Sequence, residues 1–482
     1  MSETGVESNS IHELGQKVLG SAHLTEAYRS STLRLYTHRL EAIGQVPGFE
    51  LVRERARALK REVITHLDYY VDRFASRFEA QGGQVHWAAD AREACSIVLE
   101  VARRAGASEV VKGKSMVSEE IELNHALERA GIRAVETDLG EYILQLSHER
   151  PAHIVAPAMH KTRADVADLF EREVDPKRAE GPEELTAIAR RALRAMFAKA
   201  GLGISGANFA VAETGSVVVL ENEGNIRFST TAPRVHVALV GVEKLIPRFQ
   251  DLVVFLRLLA RSGTGQKLTS YTSILSGPRR PCEDGPDEMH VVLIDNGRLR
   301  ALADEKMREA LYCIRCGACL NACPVYRKIG GHAYGWVYSG PIGALITPEF
   351  VGLRNARELP FASSLCGACR EVCPVKINIP ELLLHLRAQA QETSEAPKPA
   401  GSPVRERTAM RFWAWIMTSP RRYAWSARLA RWGQGLWVRG GWIRSSSTFP
   451  VSRWTERRDL PALAPTPFRE RWKHLNSDGE PK

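Results

Sequence analysis

The sequence predicts an α/β domain with a largely parallel sheet, followed by a small helical domain organised around cysteines and then a basic helical tail. Three observations predict it. Between residues 85 and 240, short apolar runs alternate with runs of helical periodicity, the rhythm that parallel strands and crossover helices produce. Seven of the nine cysteines fall between Cys313 and Cys373. From residue 401 to 482 the chain holds sixteen Lys and Arg against six Asp and Glu, with eight of its ten tryptophans.

A chain of 482 residues is long enough for two or three domains, and its 44% hydrophobic content supports a real core. The net charge of +10 belongs to the tail, because the first 400 residues balance. No stretch approaches the roughly 18 uncharged apolar residues of a membrane span, and the apolar run at 252–260 is interrupted by Arg257. The start, Met1-Ser-Glu-Thr-Gly, lacks the basic-then-apolar order of a signal peptide. The expectation is a cytoplasmic chain, with peripheral membrane association left open by the tail. In such a reducing compartment, clustered cysteines point to metal or redox chemistry rather than to disulfides. Cys95 and Cys282 stand apart, and each reads as a buried or incidental thiol.

Taken in order, residues 1–50 form an extension of weak amphipathic character. From Leu51, the apolar positions Leu59, Val63, Leu67, Tyr70, Phe74 and Phe78 predict one helix with a single apolar face, ended by Gly82-Gly83. A short strand at 85–87 follows, then a helix running to Arg104, with Asp90 and Glu93 as a capping box. Strands are expected at 109–111, 132–136 and 153–156, separated by helices at 118–130 and 162–173. Pro182 opens another helix, and Leu185, Ile188, Leu193, Met196 and Phe197 give it an apolar face before Gly201. Strands at 209–212, 216–220 and 235–240 follow, with turns at Thr214-Gly215 and Glu223-Gly224-Asn225, then a helix at 245–259 and a last strand at 291–294. The domain is therefore expected to span 51–298. Residues 299–392 read as helical, with Gly and Pro punctuation between the cysteine runs. A linker at 393–403 precedes a basic, Trp-rich region at 404–482.

The first cysteine run, Cys313-Ile-Arg-Cys316-Gly-Ala-Cys319-Leu-Asn-Ala-Cys323-Pro324, matches the two-cluster ferredoxin pattern, in which three cysteines bind one iron–sulfur cluster and the fourth binds the other. Three thiolates at that spacing wrap one face of a cluster only where the backbone coils tightly, which Gly317 and Ala318 allow. Pro324 stops the local helix and frees Cys323 to reach a neighbouring cluster. Zinc is the competing reading, but zinc knuckles do not call for a third cysteine in step followed by Cys-Pro.

The second run, Cys366-Gly-Ala-Cys369-Arg-Glu-Val-Cys373-Pro374, has only three cysteines, and Ser363 stands opposite Cys313. The crossed arrangement gives Cys313, Cys316, Cys319 and Cys373 to one cluster. The other receives Cys323, Cys366 and Cys369, one thiolate short. The outcomes are a three-iron [3Fe-4S] cluster, a four-iron cluster with a non-cysteine or distant fourth ligand such as Ser363 or Cys282, or an open iron.

Other motifs carry less. Gly113-Lys114-Ser115 fails the phosphate-loop pattern, because position 108 is serine where a glycine is required. Lys114 and Ser115 remain candidates for an anion at a helix N-terminus. Glu221, in Glu221-Asn-Glu-Gly224, is a candidate nucleophile of the CoA-transferase kind, although it closes a strand at a hairpin turn. Glu213 and His160 lie near predicted strand ends. Interleaved Trp and Arg in the tail, from Arg411 to Trp437, suit docking to a partner or a membrane surface, and no nucleic-acid motif accompanies the charge.

With both cysteine runs in place, the chain resembles the lactate utilization protein B family, the iron–sulfur subunit of a bacterial L-lactate-oxidising system. The resemblance covers nearly the whole length. It rests on the two runs, on Gly113-Lys-Ser-Met-Val-Ser-Glu-Glu-Ile121, on Ala212-Glu-Thr-Gly-Ser216 and on the stretch 225–235. It implies a LUD domain at roughly 60–300, with a fold like the ribose-5-phosphate isomerase and CoA-transferase group. It also implies two [4Fe-4S] clusters, companion proteins A and C, and conversion of lactate to pyruvate, and it makes the three-cysteine second run normal. Competing functions are oxidation of another 2-hydroxy acid such as glycolate, and a CoA-transferase-like enzyme with structural clusters.

Overall fold

Six parallel strands form the sheet on which the first domain is built, in a computed structural model that describes residues 10–392, 404–444, 451–455 and 458–473. The chain opens with helices α1 (Ile11–Leu19), α2 (Ala22–Gly44), α3 (Phe49–Thr65) and α4 (Leu67–Glu79). Strand β1 (Gln84–Ala88), α5 (Ala91–Arg104), β2 (Glu109–Lys112), α6 (Met116–Glu120), α7 (Leu123–Arg129) and β3 (Arg133–Glu136) follow. Next come α8 (Leu139–Ser147), α9 (Arg163–Glu173), α10 (Pro182–Lys199), β4 (Leu202–Gly206), β5 (Phe209–Val211), β6 (Ser216–Glu221) and α11 (Asn225–Thr231). Strand β7 (Val235–Gly241), β8 (Leu245–Ile246), α12 (Leu252–Gly263), β9 (Tyr271–Leu275) and β10 (Glu288–Ile294) complete the layers. The large sheet runs β1-β10-β7-β4-β2-β3, every pair parallel. A second sheet of four strands, β8-β5-β6-β9, is mostly antiparallel.

Local chemistry explains several boundaries. Thr162 and Asp165 cap α9 reciprocally, Pro182 occupies the first turn of α10, and Asp90 accepts from the Glu93 amide at the start of α5. Five expectations need correction. The helix expected across 51–78 breaks at His66 into α3 and α4. That at 118–130 breaks at Glu122, whose φ is 54°. The segment 153–156 is a loop, because the His153 ring accepts the Val155 and Ala156 amides that a strand would need (3.0 and 3.2 Å). Leu245 and Ile246 pair with β5, and Pro247 delays the helix to Leu252. After Glu221 the chain enters α11 rather than a hairpin. Strands β4 and β9 went unpredicted. The glycines of β4 hide it, and Gly203 is required there, since a Cβ would lie 1.7 Å from the Ser229 carbonyl oxygen.

Beyond Gly297 the elements are α13 (Arg298–Ala303), α14 (Ala318–Ala322), α15 (Tyr326–Ile329), α16 (Gly340–Val351), α17 (Ala368–Val372) and α18 (Ile379–Glu392). One hydrophobic core runs from α3 and the second sheet into these helices, and Cys316, Cys319, Cys323, Cys369 and Cys373 are part of it. Residues 1–394 accordingly form one compact unit and 395–482 a second. The expected linker at 393–403 lies outside the described residues. In the second unit, α19 (Val404–Met417) and α20 (Pro420–Gly433) carry exposed Trp413, Trp415, Trp425 and Trp432. No helix among the described residues is long and apolar enough to cross a membrane.

Candidate metal centre

Both cysteine runs fold alike. Arg315 (φ 59°) and Gly317 (φ 78°) place left-handed backbone around Cys316, and Leu365 (φ 54°) and Gly367 (φ 87°) do so around Cys366. Each glycine starts a five-residue helix, α14 or α17. Each helix ends one residue before a cysteine in extended backbone, Cys323 or Cys373. The repeat in sequence is thus also a repeat in φ and ψ.

Cys313, Cys316, Cys319 and Cys373 line one cavity, walled by Ile342, Val375 and Ile377. Burial pushes the Cys316 thiol up to about 12, and Cys313 and Cys373 add to the shift. Burial likewise raises Cys373 to about 11, with Cys313 contributing. The other three cysteines are neighbours of one another. Cys369 is pushed up to about 12 by burial and then by Cys323 and Cys366. Cys319 is raised well above the usual thiol range by burial, then by Cys313 and Cys316, and it also feels Cys369, so the two groups adjoin. Cys366 is exposed and Cys313 partly so, and the other five are buried.

The five buried thiols, if free, would stay protonated and inert, whereas metal binding deprotonates them outright. The donor set fits an iron–sulfur group on further grounds. Backbone amides of Arg315, Tyr326 and Ile377 donate to the sulfurs of Cys313, Cys323 and Cys373 (3.4, 3.5 and 3.3 Å), which favours the thiolate form. The buried Tyr334 hydroxyl has no hydrogen-bond partner among the described residues, and its neighbours are Cys323, Cys319 and Cys369, so sulfide acceptors would satisfy it. Among the described residues no three His, Cys, Asp or Glu converge to hold a single ion. A zinc ion needs thiolates at about 2.3 Å, whereas a cluster's own iron and sulfide hold its thiolates apart.

The N-terminal helices supply residues that the sequence did not announce. Arg39 of α2 donates to the Val372 carbonyl (3.0 Å), and Arg53 of α3 donates to the Cys373 carbonyl through Nε and Nη2 (3.1 and 2.7 Å). Lys60 is fully buried, donating to the carbonyls of Glu243 and Leu245, and burial pushes it down to about 7. Arg315 donates to Glu243 (3.2 Å) and lies over the Tyr338 ring. Only Arg315 had a sequence signal, its place inside the motif.

Beside Cys316 opens a pocket of about 250 Å³ at the carboxyl ends of β2, β4 and β6, where open α/β sheets bind ligands. Lys114, Ser115, Glu221, Lys244 and Arg315 lie on its wall. Lys114 is paired with Glu141 (2.9 Å), and Ser115 accepts the Ser118 amide (3.2 Å), so the pair forms no free anion site. Both Glu221 oxygens accept amides, from Ile226 (2.8 Å) and Arg227 (2.7 Å), which makes it a loop anchor rather than a free nucleophile. Glu213 accepts the Phe249 amide (2.9 Å). His160 is buried against Glu149 (2.7 Å), with burial pushing it down to about 4. Ser363 accepts the Leu365 amide, Cys282 is exposed between β9 and β10, and Cys95 is buried and donates to the Ile121 carbonyl.

Known proteins resemble this sequence over almost the whole chain. A protein of Bacillus licheniformis named "Lactate utilization protein B" is 42% identical over 454 residues, 94% of each chain. The chain belongs to the lactate utilization protein B family. Relatives of the same name from Bacillus thuringiensis and Bacillus anthracis are each 41% identical over 455 residues, again 94% of each chain. Within the family frame, the LUD domain matches residues 71–294, the 4Fe-4S dicluster domain 309–377, and the description "Lactate utilisation protein B, C-terminal" 385–476. A crystal structure of a DUF162 family protein from Deinococcus radiodurans aligns at 12% identity over 47% of this chain and 98% of its own, with a TM-score of 0.28.

Proposed function

We propose that this chain is the iron–sulfur electron-transfer subunit of a complex that oxidises L-lactate to pyruvate, working with lactate utilization proteins A and C. The observation that carries the reading is the repeated cysteine fold, with four thiols on one cavity and three beside it. Its metabolic setting is supported by the shared name of the relatives. Cys313, Cys316, Cys319 and Cys373 hold one [4Fe-4S] cluster, and Cys323, Cys366 and Cys369 hold the second, whose fourth ligand is not a cysteine of either run. When bound, the clusters supply one-electron chemistry. The protein excludes water from the first set by burial, clamps the Cys373 segment with Arg39 and Arg53, and offers the Tyr334 hydroxyl between the two sets. The exposed Cys366 places the second set nearer solvent, which makes it the side where a redox partner exchanges electrons. Residues 51–298 are the LUD part, read as having the isomerase and CoA-transferase fold, and 299–392 the ferredoxin-type part.

Anaerobic purification with iron, acid-labile sulfide and electron paramagnetic resonance (EPR) measurement tests this. The expected content approaches eight irons per chain, and fewer than about six after full reconstitution would count against two cubane clusters. Growth of a deletion strain on L-lactate and on glycolate separates the proposed substrate from its 2-hydroxy acid alternative.

A further inference from the structure

The pocket beside Cys316 holds two cationic side chains whose donors are not used up by the protein. Lys244 is 7% exposed, lines the pocket, and makes no hydrogen bond or ion pair with a described residue. The nearest acid, Glu243, is already engaged by Arg298 and Arg315. Arg315, 9% exposed on the same wall, donates Nη2 to Glu243 (3.2 Å), and its Nε and Nη1 are closed off from solvent with no partner among the described residues. The Lys244 ammonium is left facing the cavity without an acid of its own, and a second cation stands on the same wall, so the cavity favours an anion.

The remaining walls narrow the anion. A volume of about 250 Å³ falls below the roughly 300–1,000 Å³ of sites for drug-sized ligands, which is small for a nucleotide or coenzyme A and suits a molecule of a few heavy atoms. Ile154, Val155 and Leu259 give an apolar wall, and the carboxyl groups of Asp138 and Glu223 stand elsewhere on the lining, where a second anionic group would be disfavoured. A guanidinium beside an ammonium matches a carboxylate, which can accept from both. The cavity also lies where parallel sheets take ligands, at the carboxyl ends of strands.

We propose that this pocket binds a small monocarboxylate with an apolar substituent, its carboxylate on Lys244 beside Arg315 and Cys316, and the lactate reading above makes that ligand a 2-hydroxy acid or its 2-oxo product. The inference rests on the iron–sulfur reading of Cys316 and extends it, giving the chain a substrate-class site of its own. Asn222 and Gln266, hydrogen-bonded to each other (3.1 Å), stand on the same lining at the solvent-exposed side.

The test uses the full-length, cluster-loaded protein, titrated anaerobically with L-lactate, pyruvate and inorganic phosphate. Calorimetry measures binding, and the EPR spectrum of the reduced protein reports on the Cys316 side. The expected result is saturable one-site binding of lactate or pyruvate with a change in line shape, while phosphate fails to compete. The lactate and pyruvate arms tell whether the 2-hydroxy or the 2-oxo form is held. Lys244→Gln should weaken binding about tenfold or more, the loss expected of one charge-assisted hydrogen bond, and Lys244→Arg should restore most of it. Wild-type protein with full iron content and no saturable binding overturns the proposal while leaving the electron-transfer reading intact. So does unchanged binding in Lys244→Gln, which would assign the cations to compensating cluster charge. Protein that never loads iron instead fails the electron-transfer reading, and pyruvate binding to that same protein would still uphold the pocket.

Discussion

Gly317 and Gly367 occupy matching places in the two cysteine runs but face different surroundings. Both have left-handed φ, which costs a non-glycine residue about 1–2 kcal/mol. A Cβ on Gly317 would also press on His153 Cε1 and Val155 Cγ2 at 3.2 Å, whereas one on Gly367 would meet nothing within 4 Å. Thermal unfolding of the holo-protein should therefore show a larger loss for Gly317→Ala than for Gly367→Ala. His153 itself is fully buried, bonded to Asn321 (3.2 Å), and burial pushes its pKa from 6.5 down to about 4. Because the unfolded chain then binds the extra proton between those values, His153 contributes stability that is present above about pH 6.5 and is lost as pH falls toward 4. The buried His236, lowered to about 3, acts in the same direction. The melting temperature should fall between pH 7 and pH 5, and His153→Asn, which cannot titrate, should flatten part of that slope. Of the singled-out residues, the cysteines were legible because their spacing is itself the chemistry. The roles of Glu221 and Lys114 were not, because their partners lie on other loops.

Helices α2 and α3 read in sequence as an extension and the start of the α/β domain, yet they act as clamps on the second cysteine run. Arg53 donates three hydrogen bonds to the second cysteine run, two to the Cys373 carbonyl and one to that of Glu371 (2.8 Å), and a fourth to Glu50 (2.7 Å). Hydrogen bonds from charged groups are worth about 1.5–3 kcal/mol each when their acceptors are otherwise left unpaired. Arg53→Ala should leave the sheet intact by circular dichroism and accelerate iron release to a chelator. An unchanged release rate would mean that the clamp is not needed to hold Cys373. The alternation of strands and helices was readable because period-2 and period-3.6 patterns are local. The breaks at His66 and Glu122 and the strand β4 were not, since tertiary packing set them and two of the five β4 residues are glycine.

The proposed crossed ligand pattern would join the two runs into one folded unit, and its consequence belongs to the whole molecule. Cys373→Ser should remove the cluster begun by Cys313, Cys316 and Cys319, and Cys323→Ser should remove the one begun by Cys366 and Cys369. Each variant should keep about half of the iron and a different EPR signal. If both variants lost the same signal, the crossed assignment would be wrong. The single core shared by the LUD elements and the cysteine helices also predicts that damage on either side will spread, since Gly263 of α12 already sits where a Cβ would lie 2.6 Å from the Cys316 carbonyl oxygen.

By itself the sequence determined the cysteine repeat, the parallel α/β layering and the family, because each of these is written in short-range spacing and residue type. Only the tertiary structure decided that Arg39, Arg53, Lys60 and Lys244 gather around the cysteines and that a pocket opens beside Cys316. Those residues come from segments separated by hundreds of positions. Nothing in their local pattern marks them, and their charge acquires its role only where packing removes water and leaves it facing sulfur or an empty cavity wall.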